Sequence, residues 1–273
     1  YDDSLKWSSA ESALTRGLGT CQAYESAYAK LLSTAGIENA ETRDTYDGHT
    51  WNAVKLDGDW YQVDCTWDDT SDNFYGDLDQ RHLYFCLTDE LMAIAHPGHE
   101  KIYSADGNIT RSTTLKNNYF VRNGKADEWM NKYVERIQKH LDALEESFSV
   151  DADNQSFPPS ISGIQNGTIA YAMNQHEWKS GDAKVDLSAT SNVTTTSSSK
   201  WIAKYDFKIE YQREPTNPKQ IVPDGEYTIG NAGSATAVLD IAGCSSENGA
   251  NAQLWKHNGS GAQRFRFTYD SRL

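Results

Sequence analysis

Asp57-Gly58 stands between two runs, Thr50–Leu56 and Trp60–Trp67, in which apolar and polar residues alternate. An Asp-Gly pair in that setting predicts a two-residue β-hairpin, because both central positions of its turn need positive φ. Such a turn also fixes register: facing residues must have numbers that sum to 115, so His49 opposes Thr66 and Trp51 opposes Asp64. A one-residue slip would turn every side chain to the other face, so this is a strong constraint. His49 and Asp64 then become diagonal neighbours on one face of a sheet, within reach of each other.

Around this hairpin the chain reads as mixed α and β. Residues 20–35 predict a helix with Thr20 as N-cap, an apolar stripe of Ala23, Ala27, Leu31 and Leu32, and Gly36 as its stop. An acidic loop, Asp68 to Asp79, leads to an apolar stretch Leu83–Leu87 and a short helix Glu90–Ala95, ended before Pro97. A long helix is expected over 125–146 from Met130, Tyr133, Val134, Ile137, Leu141 and Leu144. Another follows Pro158-Pro159 at 161–177, and 183–211 alternates as β around a Ser/Thr-rich turn.

Leu, Ile, Val and Phe make up only about 17% of the chain, and the net charge is −14, a combination that leans towards disorder. The 8 Trp and 15 Tyr outweigh that tendency, since large rings bury much surface each. No apolar run approaches the ~18 residues of a membrane span. Lys and Arg are scattered through an acidic chain, which argues against nucleic acid as a partner. The opening at Tyr1, with neither initiator Met nor signal peptide, reads as a piece of a longer protein.

Chemistry concentrates at three residues. Cys21 falls in the first turn of a predicted helix after Gly17, Gly19 and Thr20, where unpaired amides and the helix dipole favour a thiolate. With His49 as base and Asp64 to orient it, Cys21, His49 and Asp64 form a nucleophile, base and carboxylate set. Trp51, Trp60 and Trp67 either line a cleft beside it or belong to the core. Cys65 alternates to the face opposite Asp64, and its pairing with Cys86 is open between a disulfide and two buried free thiols. No metal site or cofactor is expected. Asp68-Asp69 lacks the Gly of a calcium loop, and His96-Pro97-Gly98-His99 has no carboxylate in register and reads as a helix end.

The runs Gly19-Thr20-Cys21-Gln22-Ala23-Tyr24, His49-Thr50-Trp51-Asn52 and Gly58-Asp59-Trp60-Tyr61-Gln62-Val63-Asp64-Cys65-Thr66-Trp67-Asp68-Asp69 resemble the bacterial transglutaminase-like cysteine peptidase superfamily. Tyr84–Glu90 continues the likeness, which covers about residues 1–100. The resemblance implies an α+β, papain-like core in which a helix bearing Cys packs on an antiparallel sheet bearing His and Asp. It implies Cys21 as nucleophile, His49 as base and Asp64 as orienting carboxylate, with the Cys21 amide as one oxyanion donor. The family commonly has Gly two residues after the Cys, where this chain has Ala23.

Glu214–Pro223 holds three of the six prolines and predicts a linker, placed at 212–223, after a domain of 1–211. From 224 to 273 the texture is that of a small all-β module. Asp224–Ile229, Val238–Ile241, Gln253-Leu254-Trp255 and Gln263-Arg264-Phe265 resemble one repeat of a ricin-type β-trefoil lectin, a partial trefoil. That resemblance implies sugar contacts from Asp240, Gln253, Trp255 and Gln263. Together the two likenesses imply a secreted or cell-surface bacterial enzyme. It would act on protein or peptide carbonyls through a thioester and be held near glycans. A glycoprotein amidase of the peptide N-glycanase kind and a non-catalytic adhesin are the rival readings.

Overall fold

The computed structural model describes residues 5–44, 48–69, 75–76, 78–96, 103–104, 112–197, 199–212 and 224–268. The chain divides into two compact units, residues 1–212 and 213–273. The first contains both helices and antiparallel sheets and is α+β. The segment 213–223, most of the expected linker, lies outside the described residues, whereas Gln212 is the last residue of a strand rather than linker.

In the first unit α1 (Ala10–Arg16) and α2 (Cys21–Thr34) precede the strands β1 (Asn39–Arg43), β2 (Thr50–Leu56) and β3 (Asp59–Val63). A single turn, α3 (Cys65–Asp68), leads to β4 (Phe85–Leu87), α4 (Asp89–Ala95) and β5 (Tyr103–Ser104). These strands form one antiparallel sheet in the order β4-β3-β2-β1-β5. The β2–β3 pairs run Asn52 with Val63 to Leu56 with Asp59, in the register the sum of 115 requires. Asp57 and Gly58 both take positive φ, 53° and 91°, as the tight turn demands.

Period-two alternation sorts this sheet into two faces. Val54, Tyr61 and Val63 meet Leu32 of α2, with Tyr28 packed against them, in one apolar cluster. Trp51 belongs to a second, larger cluster with Leu87, Met92 and the rest of the unit. Helix α2 ends at Thr34, capped by Ala35, with Gly36 at φ 74° just beyond, but Leu31 is 55% exposed. The buried stripe therefore runs through Ala23, Ala27 and Leu32, and Leu31 is not part of it.

After the sheet come α5 (Tyr119–Arg122), α6 (Lys125–Asn131), α7 (Val134–Asp142), β6 (Ser147–Asp151), α8 (Pro159–Gln175), β7 (Trp178–Ser180), β8 (Ala183–Ser197) and β9 (Lys200–Gln212). The long helix expected over 125–146 is two helices. At Lys132 and Tyr133 the amides bond three residues back, to Trp129 and Met130, so the helical ladder tightens and restarts. The break lets Trp129, Met130, Tyr133, Ile137 and Leu141 all reach one core. The second sheet is antiparallel, ordered β6-β9-β8-β7, and α8 packs against β8 and β9. Both β6 and β7 are too short for their alternation to stand out in the sequence.

The second unit holds β10 (Gly225–Tyr227), β11 (Gly230–Asn231), β12 (Ser234–Ile241), β13 (Ala252–Lys256) and β14 (Phe265–Phe267). They form a two-stranded sheet, β10-β14, and a three-stranded one, β11-β12-β13. Among the described residues, no helix in either unit is long and apolar enough to cross a membrane.

Candidate active site

Cys21 is the first residue of α2, and Thr20, extended at φ −79° and ψ 176°, is the N-cap. The Thr20 hydroxyl gives α2 no cap hydrogen bond, so the amides of this first turn stay directed at the helix end. Thr20 is instead tied backwards, its amide donating to the Trp7 carbonyl at 3.1 Å. The Cys21 sulfur is partly exposed, and His49 and the backbone of Thr50 and Gln22 are the groups that act on its ionisation.

His49 lies immediately before β2 and Asp64 immediately after β3, so the hairpin delivers them to the same end of the sheet. His49 Nε2 is 2.6 Å from Asp64 Oδ2. The other carboxylate oxygen, Oδ1, accepts the amides of Thr66 at 2.9 Å and Trp67 at 3.1 Å, which makes Asp64 the N-cap of α3. Asp64 is fully buried and His49 nearly so. Cys21, coupled to His49, and His49, bonded to Asp64, thus form one series of interacting groups from a partly exposed sulfur to an inaccessible carboxylate.

The electrostatics follow from that geometry. The hydrogen bond to His49 holds the Cys21 thiol below its ordinary range, against the opposing effect of burial. Burial disfavours a charged His49, but the hydrogen bonds to Asp64 and Cys21 outweigh it and raise the imidazole to about 10. Burial likewise opposes ionisation of Asp64, and bonds from His49 and a second histidine keep it below the usual carboxylate value. Each group thus favours the charged form of the other: His49 lowers the thiol and Cys21 raises the imidazole.

The second histidine is His96, which the sequence marks only as a helix end. It is indeed the C-cap of α4, yet its Nε2 is 3.0 Å from Asp64 Oδ2. No local signal announces this, since the contact joins residues 32 apart across the sheet. Ligand atoms of His49, Asp64 and His96 lie within 4.8 Å of one another, a donor set a metal ion could use. In the structure those donors are spent on one another at 2.6 and 3.0 Å.

The three tryptophans have different fates. Trp67 is partly exposed and stacks on His96 at 3.8 Å and on His49 at 5.4 Å. Trp51 is 1% exposed, with its indole N–H donating to Gln62, so it is a wall of the core behind the histidines and does not line an open cleft. Trp60 sits near the hairpin turn, pairing with Lys55, whose ammonium lies 5.7 Å from the ring. Only Trp67 keeps a partly exposed ring beside the triad. Cys65 and Cys86 are free thiols associated with the α2-facing cluster, and burial pushes each up to about 12.

In the second unit, Asp240 and Gln253 face each other across β12 and β13. The Asp240 carboxylate accepts from Gln253 Nε2 at 3.1 Å and from Gln263 Nε2 at 3.0 Å. Gln263 is fully buried, and it also accepts the Asn258 amide and donates to the Lys256 carbonyl. Asp240 and Gln263 are therefore a brace between strands. Trp255, paired with Val238, is 56% exposed and presents a free aromatic face.

Comparison with known families matches residues 217–272, about a fifth of the chain, to a family described as ricin-type beta-trefoil lectin domain-like. The match begins ahead of Asp224 and takes in β10 to β14. No match to the sequence was found among curated proteins.

Proposed function

We propose that residues 1–212 form a thiol-dependent acyl-transfer enzyme and that the C-terminal unit binds carbohydrate. The observation that carries the first part is the Cys21–His49–Asp64 series, with the sulfur at a helix N-terminus and the carboxylate sealed beneath. A helix bearing the thiol, packed on an antiparallel sheet bearing base and carboxylate, supports a papain-like core of transglutaminase-like type. The lectin-like match and the exposed Trp255 support the second part, because sugar C–H faces stack on aromatic rings.

The chemistry follows from the charges. The Cys21 thiolate attacks the carbonyl carbon of a peptide bond or glutamine carboxamide, and the oxygen takes the negative charge. The Cys21 amide at the start of α2 is placed to stabilise it. The C–N bond then breaks as His49 gives its proton to the leaving amine or ammonia, leaving a thioester. Water or an amine attacks next, His49 takes the proton, and the thiolate leaves. Asp64 keeps the His49 ring oriented throughout. Activity on glycoproteins, including release of glycan as the amine, is the variant that a lectin-like unit favours. The setting we propose is extracellular or at the cell surface, where glycans are presented.

The test is Cys21→Ala in the full chain. It should abolish turnover on a panel of casein and glycosylated peptides while binding to a glycan array persists. Turnover that survives the substitution overturns the thiol mechanism. Turnover absent from both proteins, with glycan binding intact, favours an adhesin.

A further inference from the structure

Asp64 accepts more than the mechanism uses. Two backbone amides hold Oδ1, His49 takes Oδ2 at 2.6 Å, and His96 takes the same oxygen at 3.0 Å. His96 is 1% exposed, and its ring is fixed by Trp67, stacked at 3.8 Å and 20°, with Trp51 at 4.8 Å. Its other nitrogen, Nδ1, is 3.0 Å from the Met92 carbonyl oxygen. A carbonyl and a carboxylate oxygen both only accept, so both contacts are hydrogen bonds only if each ring nitrogen carries a proton.

We propose that His96 is a positioning residue: a second, cationic imidazole that clamps Asp64 and balances the charge of the buried site. The inference rests on the acyl-transfer reading above. With the Cys21 thiolate and Asp64 as anions and His49 and His96 as cations, the group is neutral. Without the charge on His96, one cation would serve two anions in a site from which water is largely excluded. Unbalanced charge there is costly. The thiolate is the member that can escape by taking up a proton, so loss of His96 should return Cys21 towards the thiol form. Among the described residues, the other titratable groups around His96 are His49, with ring centres 5.4 Å apart, Tyr84 at 6.0 Å, and Asp68, whose carboxylate accepts the Tyr84 amide.

The experiment follows iodoacetamide alkylation of Cys21 against pH, by peptide mass spectrometry, in the full chain and in its His96→Gln and His96→Phe variants. In the unaltered chain the rate should already be high at pH 6. His96→Phe should move the profile up by about one unit, which slows labelling several-fold at pH 6 and approaches tenfold only well below the midpoint. His96→Gln, which keeps a donor but no charge, should fall between. Three superimposed profiles would overturn the role of His96. An unaltered chain that labels only near the ordinary thiol value of ~8.5 would overturn the thiolate reading and, with it, this inference. Cys86 is fully buried and labels only if the fold opens, and so reports on folding of the variants. Nitrogen-15 NMR of histidine-labelled unaltered protein tests the assignment without any substitution. Both ring nitrogens of His96 should be protonated at pH 7, and a neutral ring would overturn the proposal.

Discussion

Gly19 is buried just ahead of the Cys21 helix, and its backbone is outside the left-handed region, so no conformational demand explains a glycine there. The demand is steric. A Cβ at position 19 would lie 2.7 Å from the Ala23 Cβ and 3.6 Å from the Tyr24 ring. Ordinary carbon contacts are about 3.5–4.0 Å, so roughly 1 Å must be found. Ala23 has no rotamer to yield, which leaves the 17–20 approach or the first turn of α2 to move. Cys21 lies on the arc between them. Gly19→Ala should therefore cost about 1–3 kcal/mol, in the range for overpacking. It should also displace the sulfur from His49, and a 1 Å error can lower turnover about 10²-fold.

Ala23→Gly removes the opposing methyl, at about 1 kcal/mol for glycine inside a helix. Combined with Gly19→Ala, it should restore most of the loss. Urea unfolding of the two single variants and the double variant, together with Cys21 alkylation at pH 6, closes the cycle. The interaction should favour the double variant by at least ~1 kcal/mol, beyond the ~0.5 kcal/mol scatter of independent sites. Additive energies with an unchanged alkylation rate would refute the reasoning.

Asp64→Asn should move the alkaline limb of turnover down from about 10, the value for His49, towards the free imidazole's ~6.5, because the carboxylate bond that raises it is lost. A limb that stays near 10 in a pH–rate series would count against this. Burial lifts Asp68 to about 8, so the native state holds that proton where the unfolded chain has released it. Its contribution is present below about pH 4 and is lost as pH rises to 8; urea midpoints of Asp68→Asn should gain on the unaltered chain across that window, and parallel curves would refute the shift. Gln263→Ala breaks bonds to Asp240, Asn258 and Lys256 in a fully buried position, and should cost the second unit about 2–4 kcal/mol by hydrogen exchange while β2 and β3 keep their protection. Equal loss of protection in both units would mean that they do not unfold separately.

What the sequence shows and what it hides differ in range. The hairpin register is readable because Asp57-Gly58 admits one turn geometry, and that register alone places His49 beside Asp64. The start of α2 is readable from Gly19-Thr20 and the small residues that follow. The division of the 125–146 stretch is not, because Lys132 and Tyr133 are ordinary helical residues whose apolar spacing continues through the break. The core above them decides it, by drawing Trp129 and Ile137 to the same cluster. His96 is hidden for the same kind of reason. Its own sequence says helix end, and its role depends on α4 crossing the sheet to reach Asp64.

The second unit shows the converse risk of reading chemistry from residue types. Asp, Gln and Trp suit a sugar site, yet Asp240 and Gln263 satisfy each other inside the unit, at 6% and 0% exposure. A buried carboxylate needs such donors whether or not a ligand is ever bound. What remains for a ligand is the open face of Trp255, with the Asp240–Gln263 brace setting the pairing of β12 with β13 that presents it. Trp255→Ala should then abolish glycan-array binding without shifting the unit's unfolding, because an indole 56% exposed contributes little to the fold. Asp240→Ala should do the reverse first, lowering stability by removing the acceptor that buried Gln263 and half-buried Gln253 share, with binding lost only as the unit unfolds. Full glycan binding by the Trp255 variant would place the sugar elsewhere on the unit.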